Sequence, residues 1–369
     1  MDENQRKIWY EAVEQPDFHF AGDPEAGFAQ IRIYGDTPSF LGVPVAWEAD
    51  ELEGADIVFV GLPWEGGIQT GPATFANLGA RPIDPEAILE RGSAYMAPEY
   101  LRKWSEHYSL SFSGGFFPEV GSDFKVLDYL KIMDYRDVEM KEWDVERTFV
   151  RAYDTMSDIV KVGAIPLVIG GDHSIPYPVM KAITDHHGGK MGIILFDSHY
   201  DNNIGGRSNA GNAFGRYLEN SDSDPKNWVI IGVQGGSYNT APMQELCDQL
   251  GITVFSRGDV ESMGMMEVIQ QAVGIASEGT DRVYVSLDAD SMDPVTFPAQ
   301  KYPEPFGLEA RDVKDALELV SRETNLAGFD IVCIGPIYDH NGVGALTACK
   351  LYLEVLKGLA IRKRSELEG

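Results

Sequence analysis

Apolar residues along the chain gather into short runs: Ile57 to Val60, Lys131 to Met133, Ile165 to Ile169, Ile193 to Phe196, Val229 to Val233, Thr253 to Phe255, Val283 to Leu287 and Ile331 to Ile334. Runs this short and this continuously apolar predict strands buried on both faces, about eight of them. Between most of them the spacing changes to threes and fours, as at Met266, Ile269, Val273 and Ala276, or Leu346, Cys349, Leu353 and Leu356. That is the period of a helix with one apolar face. Strand and helix therefore alternate, which predicts an α/β fold: a mostly parallel, about eight-stranded sheet with helices on both faces. Residues 1–52 mix Pro, Gly and aromatics without a sustained period and read as an N-terminal extension lying on a main domain of residues 53–369.

Ligands of open α/β sheets bind beyond the carboxyl ends of the strands, and three of the predicted strands end in ionisable clusters. Ile165 to Ile169 leads into Gly170-Gly171-Asp172-His173-Ser174, Ile193 to Phe196 into Asp197-Ser198-His199-Tyr200-Asp201, and Val283 to Leu287 into Asp288-Ala289-Asp290, followed by Asp293-Pro294. Side chains alternate along extended chain, so Asp197, His199 and Asp201 are expected to share one space above their strand. Left unpaired at the edge of a core, such charges would cost several kcal/mol, so a cation is expected among them. Pooled, the candidate metal ligands are His173, Asp197, His199, Asp201, Asp288 and Asp290, with no thiolate. A set so rich in oxygen suits two divalent ions of the manganese type, with nickel or cobalt also compatible, better than a closed tetrahedral zinc site. Each residue also has a purely structural use. Asp172 and Ser174 can cap a helix, Asp293-Pro294 can form a turn, and Asp288 and Asp290 can accept from backbone amides. The joint occurrence of the three clusters favours the metal. His186 and His187, just before Gly188-Gly189, read as residues of a helix C-terminus instead.

A net charge of −28 over 369 residues argues against nucleic acid or anionic membranes as partners and suits a small cationic substrate. Cys247, Cys333 and Cys349 form no Cys-x-x-Cys pair, which favours a reducing compartment. No apolar stretch is long enough to span a bilayer, and Met1-Asp2-Glu3-Asn4 lacks the regions of a signal peptide. A cytoplasmic location is the resulting expectation.

The three clusters, in their order, resemble the patterns GGDHS, DAHxD and SxDxDxxDPxxxP of the ureohydrolase superfamily, the arginases, agmatinases and related guanidine hydrolases. They stand here as Gly170 to Ser174, Asp197 to Asp201 and Ser286 to Pro298. The resemblance covers roughly residues 53 to 360 and includes Phe329-Asp330-Ile331-Val332 and Tyr338-Asp339-His340-Asn341-Gly342, similar to the agmatinase C-terminal region. It implies a three-layer α/β/α fold, a binuclear centre of manganese or nickel, and hydrolysis of a guanidine C–N bond by a hydroxide bridging the two ions. It also implies that Asp197 and Asp288 bridge, that His173 and Asp201 complete one ion's shell and His199 and Asp290 the other's, and that Asp201 takes part in catalysis by holding the hydroxide. A trimer or hexamer, of one chain or with a paralogous subunit, is implied as well.

Three departures from the family bear on substrate. Where arginases and agmatinases carry the Glu of EVxP, which pairs with the substrate guanidinium, this chain has Cys333 in Val332-Cys333-Ile334-Gly335-Pro336. Where many relatives show HGxxF, with a proton-shuttling His, it reads Ala210-Gly211-Asn212-Ala213-Phe214. Asn202-Asn203 replaces residues that shape the pocket for an amino-acid or polyamine tail, making Asn203 and Cys333 candidate substrate-binding residues. The intact ligand set supports an active enzyme for a substituted guanidine or a biguanide of the metformin type. A metal-binding, inactive subunit supporting a paralogue, and an agmatinase or guanidino-acid hydrolase, are the alternatives. A deacetylase-like one-zinc enzyme needs fewer ligands than are present. Cys333 as a nucleophile would need a base to lower its thiol pKa, and its apolar neighbours Val332 and Ile334 offer none.

Overall fold

The structure, a computed structural model, describes residues 33–34, 37–65, 93–140, 145–203, 210–236 and 238–368; most of the predicted extension lies outside them. Eight strands form one parallel sheet: β1 (Ile57–Gly61), β2 (Ile132–Asp137), β3 (Ile165–Ile169), β4 (Met191–Phe196), β5 (Trp228–Val233), β6 (Thr253–Ser256), β7 (Arg282–Asp288) and β8 (Leu326–Val332). Their order across the sheet is β2-β1-β3-β8-β7-β4-β5-β6, and every neighbouring pair is parallel. The expected three-layer arrangement follows from alternation along the strands. Ile57, Phe59, Ile194 and Phe196 face one apolar layer, together with Leu101 of α1 (Ala97–Ser105), Ile269 of α7 (Met265–Ser277), Val320 of α8 (Ala310–Glu323) and Tyr352 of α9 (Val343–Glu368). Val58, Val60, Ile193 and Leu195 face the other, with Phe149 of α2 (Val145–Lys161), Val179 of α3 (Pro176–His187) and Cys247 of α5 (Ala241–Leu250). Two short helices, α4 (Ala213–Glu219) and α6 (Arg257–Met263), complete the cover. Among the described residues no helix is long and apolar enough to cross a membrane.

Three local expectations are corrected. The strand read from Ile331 to Ile334 runs from Leu326 to Val332, because Gly328 and Asp330 interrupt an apolar pattern that the buried backbone ignores. In α7 the buried face is Met265, Val268, Ile269, Ala272 and Ala276, and Met266 is largely exposed; apolar residues stand on several sides of this helix, so spacing alone does not select the face. The segment from Lys131 extends to Asp137 through Asp134, which is fully buried.

Asp134 shows how the outer strands are fastened. Its carboxylate receives Arg102 Nε at 2.9 Å and Nη2 at 3.0 Å, and the backbone N–H of Phe40 at 2.7 Å. Arg102 also pairs with Asp137. Phe40 in turn packs edge-on against Phe59 and Tyr352, with centroids 4.7 and 5.2 Å away. One polar knot thus ties the segment before β1 to α1 and β2. Arg102→Met leaves Asp134 buried without its cation and is expected to cost about 3–5 kcal/mol, read as a lowered denaturant midpoint at constant slope.

Candidate metal centre

Four adjacent strands, β3, β8, β7 and β4, end beneath one site. After β3 the chain turns through Gly170 and Gly171, both at positive φ; at Gly171 a Cβ would lie 2.6 Å from the Leu62 carbonyl oxygen. Only glycine fits that close approach, and it delivers His173 above the sheet. Asp172 is in neither ligand group: its Oδ1 accepts the Ser174 N–H at 3.1 Å within the loop, and it does not cap the following helix, whose N-cap is Ile175. After β4 the extended chain stops at Phe196, and Asp201 joins the site through a left-handed residue, φ +42°. Strand alternation therefore does not by itself bring Asp201 to Asp197, as the sequence suggested; a turn does.

The six predicted side chains meet in two groups. His173, Asp197, Asp201 and Asp288 form one, and Asp197, His199 and Asp290 the other, with Asp197 in both. His173 Nδ1 lies 3.1 Å from Asp197 Oδ2, 2.9 Å from Asp201 Oδ2 and 2.9 Å from Asp288 Oδ2. Neither Nδ1 nor Asp197 Oδ2 is aligned for a hydrogen bond. Carboxylate oxygens and an imidazole lone pair this close, buried and without mutual hydrogen bonds, match the donor shell of a divalent ion. His199 Nδ1 lies 3.4 Å from Asp197 Oδ1 and 3.5 Å from Asp290 Oδ2. Asp288 joins only the first group; its Oδ1 accepts the Asp290 N–H at 2.9 Å.

Partners behind His173 set its tautomer. Ser286 Oγ donates to Asp330 Oδ1 at 2.6 Å, so the contact at 3.0 Å with His173 Nε2 must be a bond donated by the imidazole. Tyr284 donates to the other Asp330 oxygen. His173 therefore keeps a proton on Nε2, which leaves Nδ1, facing the carboxylates, as the nitrogen that can give its lone pair to a cation. Asp330, directly opposite Ser286 in the β8–β7 pair, was missed as a site residue. An acidic residue inside an apolar run reads as an interruption, and its partner Ser286 was visible only as part of a pattern.

Burial opposes charge on both imidazoles, but the surrounding carboxylates outweigh it. His173 is lifted well above the usual histidine range, chiefly by Asp288, and His199 to about 12 by Asp197 and Asp290. Burial and the Asp197 charge push Asp201 up to about 7. Without a metal the cluster thus holds protons where cations belong.

Cys333 follows β8 directly, at φ +58° and 2% exposed. Burial first, then the charges of Asp288 and Asp290, hold its thiol well above the ordinary range. Burial acts whatever neutralises the carboxylates, and it opposes the thiolate that a nucleophile would need. Its carbonyl accepts the Lys301 N–H at 3.0 Å, and Lys301 forms a buried ion pair with Glu65. That pair joins residues from loops after different strands, with no periodic signal to announce it. Asn202 turns inward, its Nδ2 donating to Cys247 Sγ at 3.0 Å. Asn203 is exposed, and its N–H donates to the Gly211 carbonyl at 3.1 Å. In the stretch that lacks the shuttle histidine, Phe214 packs edge-on against the His173 ring, 5.3 Å away. His186 and His187 end α3 as expected.

Known proteins share this architecture over most of its length. Proclavaminate amidinohydrolase of Streptomyces clavuligerus is 27% identical over 343 residues, covering 90% of this chain and 96% of its own. The mitochondrial agmatinase of Gallus gallus is 29% identical, covering 86% and 84%. Among solved structures, a Trypanosoma cruzi formiminoglutamase with a pair of Mn2+ ions superposes with a TM-score of 0.71 at 22% identity, covering 89% of this chain and all of its own. The family model described as the arginase family matches residues 55–357. With that match spanning most of the chain and ending each of its key strands in the site just described, the chain belongs to the arginase family of hydrolases, which cleave the C–N bonds of guanidino and amidino groups.

Proposed function

We propose that His173, Asp197, Asp201 and Asp288 hold one divalent ion and Asp197, His199 and Asp290 a second, manganese or nickel, and that the protein hydrolyses a substituted guanidine or biguanide of the metformin type. When bound, the ions supply a water acidified towards neutral pH and a positive field on the guanidine carbon. Asp201 is the catalytic residue: it is the most exposed carboxylate of the first group, 13% against 1% and 3%, and accepts a hydrogen bond from the attacking water. Asn203 and Cys333 line the substrate side. The observation that carries the substrate reading is Cys333, a buried neutral group beside Asp288 and Asp290 where related enzymes place a carboxylate for a compact guanidinium. A cation whose charge is delocalised and whose nitrogens are alkylated does not need that partner. Assembly as a trimer or hexamer, alone or with a paralogous subunit, accompanies this reading.

The test is a turnover screen of guanidine, arginine, agmatine, guanidino acids and biguanides with protein loaded with manganese or with nickel. A biguanide or alkylated guanidine turned over best supports the reading. Preference for agmatine or a guanidino acid overturns it in favour of an agmatinase-like enzyme, and no turnover with both ions bound favours the inactive subunit.

The pH dependence of stability checks the metal reading. The raised His199 and Asp201 pKa values stabilise the metal-free fold below their unfolded values, near 6.5 and 4. That contribution fades as pH rises towards about 7 for Asp201 and about 12 for His199. Ions must displace the same protons, so their affinity rises with pH. Melting temperatures with Mn2+ and with a chelator should therefore diverge from pH 5.5 to 8.5. A gap that is constant or narrows contradicts binding at these residues.

A further inference from the structure

The two histidines of the centre are held by different means. Ser286, Asp330 and Tyr284 hold His173 from within the sheet. His199 turns Nδ1 towards Asp197 and Asp290. Beside Nδ1, Ser198 Oγ lies 3.3 Å away but spends its proton on Asp290 Oδ1 at 2.7 Å. The other nitrogen, Nε2, is buried and has no hydrogen bond among the described residues, and the carboxylate among them that faces it is Glu304, with Oε1 3.9 Å away. A neutral imidazole has one N–H. Once the Nδ1 lone pair serves an ion, the proton must sit on Nε2, pointing at Glu304.

We propose that Glu304 is the positioning residue for His199, accepting its Nε2 proton and so setting the affinity of the ion held by Asp197, His199 and Asp290 while leaving the other ion's affinity alone. The inference rests on the two-ion reading above. A carboxylate behind a ligating imidazole fixes its ring and raises the basicity of the other nitrogen. The Glu304 side chain is 22% exposed, free enough to close the remaining distance by a rotamer adjustment. Its loop is anchored on both sides of the site: the Lys301 N–H bonds the Cys333 carbonyl, the Lys301 ammonium pairs with Glu65, and the Tyr302 ring meets Tyr238 edge-on at 6.3 Å. Tyr238 also packs against the His199 ring at 5.7 Å. Tyr238 thus packs beside the ring, and Glu304 stands opposite its Nε2.

The experiment is a calorimetric titration of metal-free protein with Mn2+ against a competing chelator, for wild type, Glu304→Ala and Glu304→Gln, with circular dichroism to confirm folding. Wild type is expected to take two ions. Glu304→Ala should weaken one of them by about 10- to 100-fold and leave the other within about twofold. Glu304→Gln, which keeps an acceptor but no charge, should fall between. Unchanged affinities in Glu304→Ala, equal weakening at both sites, or full wild-type behaviour in Glu304→Gln overturns the assignment of Glu304. A wild-type protein that takes fewer than two ions overturns the two-ion reading instead, whatever the variants do.

Discussion

Asp197→Asn is expected to abolish turnover while leaving the fold intact, because among the described residues Asp197 is the one side chain shared by both candidate ligand groups. Its Oδ2 faces His173 at 3.1 Å and its Oδ1 faces His199 at 3.4 Å. An amide keeps the volume but replaces one oxygen by an NH2 group, which repels a cation and cannot ligate it. One half of the centre loses a donor outright, and the other is left with a neutral, weaker one. Charge stabilisation by bound ions is worth several kcal/mol in the transition state, and at about 1.4 kcal/mol per tenfold its loss lowers the rate by roughly 10^3-fold or more. Elemental analysis should show less than one ion retained per chain, with an unchanged far-ultraviolet spectrum. The metal-free fold should tolerate the change well: burial and then the Asp197 charge push Asp201 up to about 7, and one carboxylate fewer relieves the second of these. Full activity in Asp197→Asn, or one tightly held ion in wild type, contradicts the binuclear centre.

The residues that define this centre were legible because each lies within a few positions of a strand's carboxyl end, where local sequence and parallel topology act together. The strands announced themselves as apolar runs, and the parallel sheet then put three separate clusters side by side. What was not legible depends on contacts between distant segments. Asp330 sits in the middle of β8 and is made acceptable there by Ser286 and Tyr284, more than forty residues away in sequence; without that pairing in view, an acid in an apolar stretch marks a strand's edge. Glu304 and Lys301 belong to a loop with no period, and their meaning comes from His199 and Glu65. Backbone conformation was hidden too. Asp201 and Cys333 both adopt positive φ, a strained state for residues with a Cβ, and both stand at the site, where the surrounding hydrogen bonds hold the chain in place. Phe40 and Leu41 carry no periodic signal, yet both are fully buried against the first strands.

Cys333→Glu should exchange one specificity for another. Residue 333 directly follows β8, between the His173 turn and the loop of Lys301: its N–H donates to the Gly171 carbonyl at 2.8 Å, and its carbonyl accepts from Lys301. Its backbone is therefore fixed, and on the proposed reading a longer side chain extends towards the substrate. Burial first, then the charges of Asp288 and Asp290, raise the Cys333 thiol pKa, so an added carboxylate at this position would sit in the field of those two acids. A glutamate there adds a negative charge facing the substrate and removes volume. Charge-assisted hydrogen bonding to a compact guanidinium is worth roughly 1.5–3 kcal/mol, equivalent to about a 10- to 150-fold change in kcat/KM. An alkylated or biguanide cation spreads its charge, gains less from the carboxylate and meets it as an obstacle. The ratio of kcat/KM for guanidine over that for a dialkylated biguanide should rise by about that factor, because such ratios measure differential binding of the transition states. Cys333→Gln separates the causes: it adds the same bulk without the charge, so it should depress the biguanide without rescuing guanidine. If both variants leave the ratio unchanged, residue 333 does not touch the substrate. If Cys333→Gln raises it as much as Cys333→Glu, volume rather than charge sets the preference.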